Sequence, residues 1–123
     1  MIKSYDKYLY DIAEAIEKIE ELLPKISKDQ FEEDWVLQDA VIRRIAIIGE
    51  ACKNLPDEVK NQYPDIPWKK IMGMRDILIH DYSSIDLTEV WNVVTKDLSE
   101  LKQKFTALPT MEELLAKATT EVD

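Results

Sequence analysis

"VIRRIAIIGEACKNL", residues 41–55, decides the fold. Its apolar residues occupy more than one face of a helix, the pattern of a helix packed among others. Followed backwards, the same periodicity predicts one long helix from about Asp29 to Asn54, with Leu37, Val41, Arg44, Ile48 and Ala51 on one stripe. Upstream, Ile2, Tyr5, Leu9, Ile12, Ile16, Ile19 and Leu23 recur every three or four positions. They predict an amphipathic first helix stopped near Pro24. Ser27 and Gln30 have capping-box spacing.

Downstream, "LPDEVKNQYPDIPW" (55–68) carries three prolines and reads as a connector with one helical turn after Pro56. Pro67 suits the first turn of a third helix, "PWKKIMGMRDILIH" (67–80). "SSID" breaks the chain, and Asp86 with Glu89 caps a fourth helix over roughly 86–107. Its buried stripe is Val90, Val94, Leu98 and Leu101. After Pro109, Thr110 and Glu113 cap a short tail helix. Only two glycines occur in 123 residues, too few for the turns of a β-rich fold. The expectation is one all-α domain, 1–123: an up-down four-helix bundle with a short extra C-terminal helix.

Composition narrows the function. Cys52 is alone, so no intramolecular disulfide can form, and a reducing compartment is expected. "MIKSYDKYLYDIAEAIEK" (1–18) has no apolar signal-peptide core, and no apolar run approaches the length of a membrane span. A cytoplasmic protein without membrane contact is expected. The net charge of −9 opposes nucleic-acid binding if taken as a sum. The distribution differs: residues 1–35 carry five basic and ten acidic groups, 83–123 carry four and eight, and 36–82 carry seven of each. A polyanion therefore has to dock on the middle, which holds Arg43, Arg44, Lys69, Lys70 and Arg75.

The third helix carries a polar stripe. Lys69, Gly73, Asp76 and His80 are spaced four, three and four, and His80 is the only histidine. Asp76 and His80 form an i, i+4 pair, in which a carboxylate orients an imidazole and favours its protonated form. Gly73 costs a helix interior about 1 kcal/mol against alanine, so close approach of a partner helix or ligand is expected there. A structural alternative stands beside this reading: an interhelical salt-bridge seam with Glu50 on the second helix.

Arg75, four residues, His80, one residue and Tyr82 resemble the Arg-x4-His-x-Tyr motif of HepT-like proteins in the HEPN superfamily. "DWVLQDAVIRRIAIIGEACKNLP" (34–56) is similar to that family's second helix, and "YPDIPWKKIMGMRDILIHDYSSID" (63–86) to the segment through its motif. The resemblance extends to about Leu108. It implies an all-helical homodimer and a metal-independent endoribonuclease acting as the toxin of a toxin–antitoxin pair. It also implies an MNT-type nucleotidyltransferase antitoxin that transfers AMP to Tyr82. Asp76 stands where the family most often has asparagine, which places an extra negative charge near the substrate phosphate.

The chemistry is consistent with these residues. Metal-independent cleavage uses the 2′-hydroxyl as nucleophile. His80, with an ordinary histidine pKa of about 6.5, is suited to proton transfer. Arg75 offers a planar, permanently charged fork to the phosphate oxygens, and Asp76 orients His80. No cofactor is implied, and one histidine with one cysteine gives no metal-ligand spacing. Acid and base roles both need filling, so a two-fold dimer bringing two Arg75/His80 sets around one cleft is expected. It would use the apolar excess of Ile71, Met72, Met74, Ile77, Leu78 and Ile79, for which plain core packing is the alternative. AMP on Tyr82 would oppose RNA by charge and bulk. Lys69 and Lys70, with Arg43 and Arg44 as weaker candidates, guide RNA or are simply solvated. The acidic first helix can meet a basic partner surface. Trp35, Trp68 and Trp91 read as core or interface aromatics, and Cys52 as packing. The rival function is a non-catalytic HEPN binding module, a companion of a nucleotidyltransferase.

Overall fold

The computed structural model describes residues 5–80 and 86–106; the side chains of Pro24, of residues 75–80 and of residues 105–106 are not among those described. Every long element is helical. Helix α1 spans Asp6–Leu22 and runs into a 3-10 turn, Leu23–Lys25. Leu9, Ile12, Ile16 and Ile19 are buried along its predicted stripe.

The predicted second helix is two helices. A short α2, Lys28–Glu33, ends at Asp34, and α3 runs over Trp35–Asn54. Asp34 is extended (φ −112°, ψ 93°), and its carboxylate accepts the Leu37 backbone N–H at 3.1 Å. That bond caps α3 and requires non-helical backbone at Asp34, so the chain kinks where periodicity read a continuous helix. Gln38 Nε2 secures the kink by donating to the Phe31 and Glu32 carbonyls at the end of α2, at 3.0 and 3.1 Å, the first of which also accepts the Asp34 N–H. The Ser27–Gln30 capping box forms as its spacing predicts, at 2.8 and 3.2 Å.

α3 is the central helix, packed along α1 on one side and along α5 on the other. Val41, Ile45, Ile48, Ala51 and Cys52 are buried, which explains its apolar residues on several faces. The single turn after Pro56 is α4, Asp57–Gln62. Helix α5 covers Trp68–His80, with the Pro67 carbonyl accepting from Ile71 N–H, so Pro67 stands just ahead of its first turn. The fourth long helix is continuous over residues 87–106 but contains a π-helical turn: α6 is Leu87–Asn92, the turn is Val93–Asp97, and α7 is Leu98–Thr106. Asp86 caps it through Thr88 and Glu89 N–H, and Val90, Val94, Leu98 and Leu101 are buried as expected.

Cross-links define the arrangement of the bundle. Lys104 Nζ donates to the Asp65 carbonyl, Lys70 meets Asp97, and Gly73 and Met74 face Glu89 and Val90 across a cleft. Numbers rise on one strand of this series and fall on the other, so α5 and the last helix are antiparallel. Lys102 reaches Glu20 of α1 at 2.6 Å and closes the ring of four. Phe31 of α2 is fully buried and stacks at a tilt on Trp91, ring centres 5.5 Å apart. Trp68 is buried and Trp91 half-buried, as read from sequence. Trp35 is not a core residue: it is 70% exposed, because the kink at Asp34 turns the first residue of α3 outward, and of the two alternatives only an interface role is left open to it. Ile2 and the tail helix after Pro109 lie outside the described residues.

Candidate functional site

The motif-bearing helix is held at its start. The Trp68 indole N–H donates to the Lys60 and Tyr63 carbonyls, both at 3.0 Å, pinning the first turn of α5 to the end of α4. Ile71 and Met74 are buried in this chain's own core; Met72 is half-buried. The plain core-packing alternative therefore accounts for Ile71 and Met74.

From that anchor α5 runs unbroken to His80. Its backbone places Arg75, Asp76 and His80 on one helix. Helical geometry sets Arg75 and His80 about 7.5 Å apart along the axis and about 140° apart around it, with Asp76 one turn before His80. The side chains of these three residues are outside those described, as is any seam they form with Glu50. Tyr82 lies outside the described residues altogether.

The four candidate RNA-guiding cations divide into two kinds. Lys69, Lys70 and Arg43 are exposed. Lys70 Nζ sits 2.9 Å from Asp97 Oδ1, and this hydrogen bond, then the attraction of the same carboxylate, raises its pKa above the ordinary lysine value. Arg44 is half-buried and lies 3.8 Å from Glu14 of α1. Among the described residues, Lys70 and Arg44 thus have an intramolecular carboxylate partner.

Beside α5 lies a cleft of about 230 Å³. Ile45 of α3, Met74 of α5, and Val90 and Val93 form its apolar walls, and Lys70, Glu89 and Asp97 supply its polar groups. Gly73 lines it too, and a Cβ built there meets nothing within 4 Å. The close approach expected at Gly73 is therefore not made by the described part of this chain; the glycine opens space instead. The one signal of this cleft in the sequence is a glycine inside a helix, and its second wall depends on the π-helical turn. Among the described residues, no group of three His, Cys, Asp or Glu could hold a metal ion, and no helix is long and apolar enough to cross a membrane.

Comparisons with known proteins converge. The chain is 47% identical over 108 residues to a Thermococcus cleftensis protein named "Probable ribonuclease HepT", covering 88% of this chain and 98% of that one. It is 51% identical over 114 residues to a Methanocaldococcus jannaschii protein named "Gamma-glutamylcyclotransferase and putative RNase". That match covers 93% of this chain but 50% of the relative, so the chain spans half that protein's length. It is also 29% identical over 98 residues to the Shewanella oneidensis "mRNA nuclease HepT", covering 60% of this chain and 74% of that protein. No solved structure matches significantly. The family model described as "Ribonuclease HepT-like" matches residues 12–108, and the chain belongs to that HepT-like family.

Proposed function

We propose that this protein is a metal-independent endoribonuclease, the toxin of a toxin–antitoxin pair, and that Arg75 and His80 carry its chemistry. The observation that carries the reading is the continuity of α5 through Arg75 and His80 in a chain of the HepT-like family. Relatives named for ribonuclease activity support it.

In this reading His80 moves protons between the 2′-hydroxyl and the leaving 5′-oxygen, Arg75 neutralises the phosphorane oxygens, and Asp76 orients the imidazole. One histidine per chain leaves one proton-transfer role unfilled. Two copies sharing one cleft supply the second. A nucleotidyltransferase antitoxin silences the toxin by binding it and by transferring AMP to the Tyr82 hydroxyl, which adds charge and bulk where phosphate must sit. Lys69 and Arg43, exposed and without a carboxylate partner among the described residues, are the better candidates for guiding RNA; Lys70 and Arg44 must first leave their carboxylate partners. The net charge of −9 favours a second reading, a non-catalytic companion of a nucleotidyltransferase.

The test compares RNA cleavage in EDTA, and growth arrest, for the wild type, Arg75→Ala and His80→Ala. Loss of both readouts in variants that keep the helical circular dichroism and oligomeric state supports catalysis. Equal arrest by all three proteins favours the companion. Mixing wild type with His80→Ala probes the shared cleft: activity that falls below the share expected of the remaining wild-type dimers supports it, because a hybrid cleft has one imidazole, and activity in simple proportion to the wild-type fraction counts against it. Tyr82→Phe should abolish AMP labelling; labelling that persists refutes the assigned acceptor.

A further inference from the structure

The kink between α2 and α3 presents an apolar pair to solvent. Trp35 is 70% exposed and Val36 is 59% exposed, the large hydrophobic side chains exposed among the described residues. Beside Trp35 is a shallow concavity of about 480 Å³, with Ile26 and Leu37 contributing apolar surface and Glu33 and Asp34 contributing carboxylates. The shape is held by three local devices: the Ser27–Gln30 box, the Asp34 cap, and the Gln38 amide on two carbonyls of α2. An exposed tryptophan on rigid backbone costs little side-chain entropy when it is covered, which is why tryptophan is enriched at binding hot spots.

Charge selects the occupant. The charged residues lining the concavity, Glu33 and Asp34, are both acidic, and between residues 25 and 43 five carboxylates, Asp29, Glu32, Glu33, Asp34 and Asp39, stand against three basic residues, Lys25, Lys28 and Arg43. Lys28 is already paired with Glu32 at 3.8 Å. Asp39 lies one turn beyond Trp35 on α3, on the same face. A second copy of this patch would oppose carboxylates to carboxylates, which disfavours self-pairing. We propose that the α2–α3 junction is a docking surface for a basic protein segment, one that seats an apolar side chain against Trp35 and Val36 and flanks it with arginine or lysine. Arginine gains twice there, by charge from Glu33 and Asp39 and by stacking on the indole. The proposal is independent of whether the chain cuts RNA.

The test uses the full chain and two synthetic amphipathic peptides, one with leucine anchors flanked by arginines, the other with every arginine replaced by glutamate. The readout is the indole N–H resonance of Trp35 in NMR titration, with those of Trp68 and Trp91 as internal controls. The arginine peptide is expected to shift the Trp35 resonance saturably, with an affinity that falls as salt rises, and the glutamate peptide to leave it in place. Trp35→Ala, scored on backbone amides of α2 and α3, should weaken binding by about tenfold or more. A Glu33→Gln/Asp39→Asn double variant should weaken it while keeping the fold. Equal response to both peptides, or a response shared by all three indoles, overturns the proposal. So does a Trp35→Ala protein that sediments as a smaller species than the wild type, since the patch would then be covered by a second copy.

Discussion

Lys70 and Asp97 meet at 2.9 Å, tying the first turn of α5 to the π-helical turn of the last helix. The bridge sits at the cleft beside Gly73, and the lysine side chain is 60% exposed. Solvent screening therefore keeps it weak. Asp97→Asn should lower the melting temperature slightly at low ionic strength, with the gap closing in high salt, where the Debye length falls to about 3 Å. The pH dependence has a definite sign. Because the folded pKa of Lys70 is raised, the contribution is complete below 10.5 and is lost as pH climbs through the raised value. Thermal melts across that range check it; a melting difference that survives high salt counts against the assignment.

Gly73→Ala should stabilise the protein by about 1 kcal/mol. Helical alanine loses less backbone entropy than glycine, and the added methyl enters open space. Urea melts should show a higher midpoint with an unchanged slope. A destabilised variant would contradict the open cleft. A variant that is more stable yet cleaves RNA less well would show that whatever binds beside α5 needs that space.

Phe31 is fully buried and stacks on Trp91, so it joins short α2 to α6. Truncating it to alanine removes a whole ring from the core and should cost about 3–5 kcal/mol in chemical unfolding. Ser27→Ala removes only the hydroxyl that accepts the Gln30 N–H and should cost about 1 kcal/mol. If the two variants are equally destabilised, α2 is held by its cap and not by its phenyl ring.

The Cys52 thiol is fully buried, and burial pushes its pKa from 9.0 up to about 12, with Lys60 opposing the shift. A thiol that is both protonated and inaccessible is inert. Aromatic disulfide reagents should label Cys52 only as the chain unfolds, with labelling following the urea transition. Between pH 9.0 and about 12 the unfolded chain sheds this proton more readily than the folded one. Stability should therefore fall with rising pH in that window, and Cys52→Ala should flatten the fall. Rapid labelling in native buffer would show the packing to be wrong.

The helices were legible because the signals for them are local. Heptad-like spacing places Leu9, Ile12, Ile16 and Ile19 inside α1, and Val90, Val94, Leu98 and Leu101 inside the last helix. The caps at Ser27 and Asp86 involve partners within three residues. The candidate catalytic residues were legible as a motif on one helix, and family membership supports the motif's context. Convergence of their side chains on one cleft depends on a second copy, which spacing along a chain does not encode.

The amino-acid order alone dictates that this chain forms amphipathic helices around a hydrophobic α3, and that Arg75, Asp76 and His80 share one of them. Three features were decided by the packing of the chain. Asp34 breaks a periodic run through its cap on Leu37 and the Gln38 amide, and the distant Phe31–Trp91 contact rewards the kink. Trp35, hydrophobic by composition, ends outside because that kink turns it away from the core. Gly73 lines a cleft because Ile45, Val90 and Val93 stand back from it. Helix formation is set by near neighbours, but the position of a kink, the exposure of a side chain and the volume of a cleft are set by packing between elements.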